Sequence, residues 1–120
     1  MIMIVDDNAS MRGLIRRFVQ TFDSRQEFYE CQDGREALDA FPRLKPEWIL
    51  MDIKMPRMDG LTATKAIRAK YPEARIIIVS DFDDPELKTE ARRSGAAGHV
   101  LKERLFELRD LMRCQVKSQK

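Results

Sequence analysis

Five short apolar runs, each followed by an amphipathic stretch, constrain this chain more than anything else in it. The runs are "MIMIV" (1–5), "EFYEC" (27–31), "EWILM" (47–51), "RIIIV" (75–79) and "GHVL" (98–101). Near-continuous apolar runs of this length suit strands buried on both faces. Between them the apolar period changes to that of a helix. Met11, Leu14, Ile15, Phe18, Val19 and Phe22 fall on one helical face, with Asn8 or Ser10 as the cap. Asp33-Gly34 turns the chain into "REALDAF", a short helix stopped by Pro42. A third helix runs from about Leu61 to Lys70, before Pro72. Asp83, Asp84 and Pro85 open a fourth, which Gly95 ends. Leu105, Leu108, Leu111, Met112 and Val116 mark the fifth. Strand–helix alternation of this kind predicts an α/β fold, a doubly wound parallel sheet covered on both faces. The expected domain is 1–116, with 117–120 as a tail.

The bulk composition excludes several classes. The 120 residues are enough for one core, and 35% charged residues nearly cancel to +2. So small a net charge gives no strong pull toward nucleic acid or membrane. No run approaches a membrane span, and the opening run lacks the basic start of a signal peptide, so the chain reads as cytoplasmic. Cys31 and Cys114 are far apart and read as free thiols, and one histidine, His99, argues against a zinc site. No GxxxxGK loop is present.

In such sheets ligands bind beyond the carboxyl ends of the strands. Four of the five runs end there in reactive groups: Asp6-Asp7, Asp52, Ser80 and Lys102. Two charges 4 Å apart interact by about 4 kcal/mol at an effective dielectric of ~20, so three carboxylates gathered in one place need a cation. All-oxygen ligation suits Mg²⁺. The adjacent acids Asp6 and Asp7 then make sense as half of a Mg²⁺ site completed by Asp52, with the Lys54 carbonyl as a further ligand. Asp52, in the most apolar context, is the candidate nucleophile toward phosphorus. Lys102 would offset charge on a phosphoryl group, and Ser80 would hydrogen-bond one of its oxygens. The bland alternative, that Asp6 and Asp7 only form a strand-end turn and helix cap, leaves this convergence unexplained.

At these residues the chain resembles the response-regulator receiver family of two-component signalling. The matching pieces are "IVDDN", "DGREAL", "ILMDIKMPRMDGL", "IIIVS" and "SGAAGHVLK", nearly the whole chain. The switch-point rule has members of this family among its own examples, so topology and family are not independent expectations. The resemblance implies strand order 2-1-3-4-5 and phosphorylation of Asp52 by a phosphohistidine on a sensor histidine kinase. It implies Mg²⁺ on Asp7, Asp52 and the Lys54 carbonyl, with Asp6 binding directly or through water. The detail is most similar to NarL/FixJ (LuxR-type) receivers, usually joined to a DNA-binding domain. No such domain follows here, so the chain is expected to be a stand-alone receiver or a piece of a regulator, reaching DNA only indirectly. A homodimer along the first and last helices is a further expectation. The resemblance implies a phosphorylation-operated switch rather than an enzyme acting on other substrates. The alternative is a pseudo-receiver, a protein-interaction module signalling without phosphate. A flavodoxin-like cofactor binder would want a Ser/Thr/Gly-rich loop where "DDNAS" stands, and a haloacid-dehalogenase-type phosphatase a strand-one Asp-x-Asp motif.

Three positions depart from the family pattern. His99 stands where the switch residue is usually Tyr or Phe. Asp81 follows Ser80 where a small residue is common; with Phe82 it is expected to modulate access, repelling phosphodonor or pairing with Lys54 or Lys102. Glu103 replaces the common proline after Lys102, so no cis bond is expected and Lys102 is expected to be held less firmly. Trp48 is expected to be partly exposed, and Arg12, Arg16, Arg17, Arg104, Arg109 and Arg113 to be mainly solvated helix surface.

Overall fold

A computed structural model describes residues 1–118, with side chains as far as Arg113. The strands are β1 (Ile2–Val5), β2 (Phe28–Cys31), β3 (Trp48–Met51), β4 (Ile76–Ser80) and β5 (Gly98–Leu101). The helices are α1 (Ala9–Gln20), α2 (Gly34–Leu44), α3 (Gly60–Lys70), α4 (Pro85–Arg93) and α5 (Glu107–Ser118), with a 3₁₀ turn at Lys102–Arg104. All strands are parallel, in the order β2-β1-β3-β4-β5.

The pleat sends alternate residues to two helical layers. Met3, Val5, Ile49, Met51, Ile76 and Ile78 pack with Ala37, Ala40 and Phe41 of α2, Ala63 and Ile67 of α3 and Ala91 of α4. Ile2, Ile4, Leu50, Ile77, Val79 and Val100 pack with Ile15 and Val19 of α1 and Leu108 and Met112 of α5. β1, β3 and β4 are buried throughout, which is why their runs are almost uniformly apolar.

The helix starts are capped as their sequences indicate. Asn8, Asp33, Asp59 and Asp84 each accept a backbone N–H in the first turn of α1, α2, α3 and α4. Four details differ from expectation. Pro42 does not stop α2 but lies in its last turn, at the cost of the one bond its N–H would have made four residues back; the helix ends at Lys45, in the left-handed region at φ 42°. Leu14 is 44% exposed, because the buried arc of α1 is narrow and centred on Ile15 and Val19. Trp48 is only 3% exposed, covered by the Arg75 guanidinium 4.6 Å above its ring. The final helix starts at Glu107, after Leu105, because Lys102–Arg104 form their own turn. α5 reaches Ser118; residues 119 and 120, and the side chains of Cys114 and Val116, lie outside the described residues.

At the edge of the sheet α5 rests on bare backbone. A Cβ on Gly98 would come 2.9 Å from a methyl of Leu111. Among the described residues no helix is long and apolar enough to cross a membrane.

Candidate functional site

The ladder that pairs β1 with β3 fixes the first two acids. Val5 lies opposite Met51, and the next residues are Asp6 and Asp52. The Asp6 N–H donates to the Cys31 carbonyl at 3.1 Å, and that of Asp52 to the Val5 carbonyl at 2.9 Å. Both carboxylates are thus anchored on rigid strand ends, and both are buried. Asp7 is exposed, yet one oxygen from each of Asp6, Asp7 and Asp52 lies within 4.8 Å of the others. Asn8 N–H donates to Asp6 Oδ1 at 2.9 Å.

Lys102, just past β5, reaches back across the sheet. Its Nζ lies 3.0 Å from Asp6 Oδ2 and 3.3 Å from Asp52 Oδ1. It is therefore engaged by two carboxylates, with Glu103 following it in the 3₁₀ turn. Asp81 Oδ2, on a side chain 71% exposed, stands 3.9 Å from the same ammonium. That settles which lysine Asp81 approaches, since Lys54 Nζ instead sits 4.8 Å from the centre of the Phe82 ring. Asp6 Oδ2 has this ion pair and no further partner among the described residues.

The electrostatics follow. Burial first, then the Asp6 charge, pushes the Asp52 carboxyl up to about 6, with Lys102 pulling the other way. Burial lowers the Lys102 pKa, but Asp6 and Asp52 outweigh it and hold the ammonium above its ordinary value. Three carboxylates against one ammonium leave two negative charges in excess. That excess, and an Asp6 oxygen held only by the Lys102 ammonium, fit a divalent cation bound by oxygen.

The loop after β3 is held from two sides. Asp59 caps α3, and Gly60 N–H donates to the Ile53 carbonyl at 2.8 Å. A Cβ on Gly60 would lie 1.7 Å from the Asp52 carbonyl oxygen, so only glycine lets α3 start so close to the strand end. Opposite, Arg57 Nε donates to Asp33 Oδ2 at 2.8 Å, and Gly34 N–H donates to the Met58 carbonyl at 3.0 Å. Burial raises the Asp33 pKa, but the Arg57 and backbone N–H bonds outweigh it and hold it below the usual range. Neither the Gly60 approach nor this clasp was found from sequence, although "DG" twice followed by a helix was a usable signal. Arg12 was missed as well. It is not solvated surface: Nη1 donates to the Asp6 carbonyl at 2.6 Å and Nε to Glu30 Oε1 at 2.8 Å. Arg16 joins the same glutamate at 3.2 Å, so β2 contributes Glu30 to the support of the acidic end. Cys31, beside it, is a free buried thiol that burial above all, then Glu36 and Asp33, pushes up to about 12, leaving it unreactive.

Ser80 is fully buried at the end of β4. Its Oγ lies 2.9 Å from His99 Nε2 and accepts from the Phe82 N–H at 3.3 Å.

The chain belongs to the response regulator receiver domain family. The family model for that domain matches residues 2–113. The chain is 31% identical over 102 residues to the transcriptional regulatory protein DegU of Brevibacillus brevis, covering 85% of this chain and 43% of that protein. It is 35% identical over 101 residues to the chemotaxis protein CheY of Listeria monocytogenes, covering 84% of each. Among solved structures, the receiver domain of the response regulator NarL from Mycobacterium tuberculosis superposes with a TM-score of 0.80 at 27% identity, covering 93% of this chain and 94% of that one. The chain spans about half the length of the transcriptional regulators it matches. Receiver domains are signalling switches of two-component systems. The acidic pocket suits a phosphoacceptor site, and a phosphate-independent pseudo-receiver is not favoured.

Proposed function

We propose that Asp52 is the phosphoacceptor of this receiver, taking a phosphoryl group from the phosphohistidine of a sensor histidine kinase. The observation that carries the reading is the cluster of Asp6, Asp7 and Asp52 within 4.8 Å, with Lys102 against two of them. An Asp52 carboxylate oxygen bonds to phosphorus as the N–P bond of the donor breaks. The bonding pair stays on the donor imidazole, which takes up a proton. Lys102, already beside Asp52, is placed to pair with the arriving negative charge. Ser80 supplies a hydroxyl donor from the neighbouring strand. Asp6, Asp7, Asp52 and the Lys54 carbonyl are the groups that would hold Mg²⁺, and bound there it would neutralise the excess charge and polarise phosphoryl oxygens. Asp81 and Phe82 border the approach and modulate it. His99 is the switch residue that follows Ser80. The chain's own chemistry is limited to this transfer and to slow hydrolysis of the aspartyl phosphate.

Residues 1–116 form the receiver in this reading, with 117–120 beyond it. The output is a partner surface: an attached DNA-binding domain, as the DegU relationship favours, a second copy, or a separate target as for a stand-alone receiver. The chain would work in the cytoplasm, where its kinase donor is.

The test is intact-mass spectrometry after incubation with acetyl phosphate and Mg²⁺. One added phosphoryl group is expected, absent in Asp52→Asn and without Mg²⁺. A gain that persists in Asp52→Asn would move the acceptor elsewhere. Trp48 is a poor reporter for this purpose, since it is buried at the opposite end of β3.

A further inference from the structure

His99 does something that a phenyl ring in its place cannot. It sits on β5 opposite Ile78 of β4, two residues before the Ser80–Leu101 pair, and its ring faces the α4 side of the sheet. Its Nε2 lies 2.9 Å from Ser80 Oγ, while Nδ1 is buried with no partner among the described residues. A phenyl ring only fills space; an imidazole adds a directional hydrogen bond whose sense depends on its tautomer.

The donors and acceptors around Ser80 decide which sense is useful. A serine hydroxyl has one proton and two acceptor positions. The Phe82 N–H occupies one acceptor position at 3.3 Å. If His99 carries its proton on Nδ1, Nε2 must accept the only serine proton, and none is left for an anion. If His99 carries it on Nε2, it fills the second acceptor position and the serine proton is free. The remaining protein acceptor is then the Phe82 carbonyl at 3.5 Å, the longest contact of the three. A bound phosphoryl oxygen would take the proton from so long a contact readily.

We propose that His99 is the positioning residue for Ser80, donating from Nε2 to Ser80 Oγ so that the serine hydroxyl is delivered to an oxygen of the phosphoryl group on Asp52. This rests on the phosphoacceptor reading above. It makes the switch residue respond to the anion through the direction of a hydrogen bond, before any displacement of a strand. Burial, then Lys88 of α4, push the imidazole below its ordinary pKa, opposed by Asp83 before α4 and Glu107 of α5. The ring is therefore neutral near pH 7, and its two tautomers are the states to be distinguished.

His99 is the only histidine, so its imidazole can be read without assignment ambiguity. The experiment is a long-range proton–nitrogen NMR correlation on the ¹⁵N-labelled chain, with Mg²⁺ alone and then with beryllofluoride, which stands in for the phosphoryl group on Asp52. The expected result is the Nε2–H tautomer in the beryllofluoride state. His99→Leu should weaken beryllofluoride binding about five- to tenfold, the weight of one hydrogen bond. His99→Gln, whose amide donates from a similar position, should recover most of it. In a Ser80→Ala background His99→Leu should cost nothing more. Beryllofluoride binding with the proton on Nδ1, or an undiminished His99→Leu effect without the serine hydroxyl, overturns the proposal alone. No beryllofluoride binding, with Asp52→Asn behaving as wild type, overturns the phosphoacceptor reading and this inference with it.

Discussion

The layer formed by α2, α3 and α4 is held very differently at its two ends. α2 buries Gly34, Ala37, Ala40 and Phe41, and α3 buries Gly60, Ala63, Thr64 and Ile67. The two are clasped through Arg57–Asp33 and the Gly34–Met58 backbone bond. α4 buries only Ala91, and the rest of "PELKTEARR" is largely polar. The carboxylates stand at the packed end, on β1 and β3. Ser80 and His99 stand at the lightly held end, on β4 and β5. Chemistry needs a fixed geometry, whereas a signal needs something free to respond, and this sheet places the two side by side.

The largest test of the packed end is Gly60→Ala. With the Asp52 oxygen 1.7 Å from the new Cβ, α3 must move away from the strand. We expect a loss of about 3 kcal/mol in urea denaturation together with weaker Mg²⁺ binding. A variant of wild-type stability and affinity would show that the packed end is not rigid. Next comes pH, because the packed end also carries uncompensated charge. Asp52 titrates at about 6 in the metal-free fold, above its ordinary 3.8. The folded state therefore binds the proton more tightly than the unfolded chain between those values. Stability should fall as pH rises from about 4 to about 6, by about 2–3 kcal/mol before relaxation, and level off above. Asp52→Asn should flatten that slope, and saturating Mg²⁺ should reverse it.

A pair of cap variants compares the two ends directly. Asp33→Ala and Asp84→Ala each remove an oxygen that accepts an N–H in the first turn of a helix. The first should lower global stability by about 1–2 kcal/mol, since α2 belongs to the main core. The second should leave the denaturation midpoint nearly unchanged and speed amide exchange in α4 alone. Equal global losses would erase the distinction. The smallest effect is expected at Asp81→Ala, which removes an exposed charge 3.9 Å from Lys102. Phosphorylation by acetyl phosphate should quicken about two- to fivefold at low salt, less at high salt. An unchanged rate would remove Asp81 from the control of access.

The strands and the site at their ends were legible because burial on both faces demands continuous apolar runs, so a charge that closes a run stands out. Asp6, Asp52, Ser80 and Lys102 were placed in this way before any distance was known. The proline in α2 and the exposure of Leu14 were not legible. Pro42 costs α2 one hydrogen bond, yet the helix continues two residues past it, and Leu14 precedes Ile15 by one residue, about 100° round the helix. Trp48 reads as partly exposed from sequence because the Arg75 guanidinium that covers it comes from a distant segment. Gly60, Arg57 and Arg12 act across tertiary contacts. Their sequence signals are a turn glycine and two ordinary surface arginines, and nothing local separates these from others of their kind.

The glycine at the start of β5 has a mechanical consequence. Side chains ordinarily cushion a helix against a sheet, and small shifts on one side die out in their rotamers. At Gly98 there is no cushion, because Leu111 of α5 lies directly on the strand. His99 is the next residue and faces the opposite layer, toward Lys88 and Arg92 of α4. The strand therefore meets α5 with bare backbone on one face and, one residue on, meets α4 with the imidazole that Ser80 bonds on the other. Two surfaces on opposite faces of the sheet are thus separated by a single residue step along β5.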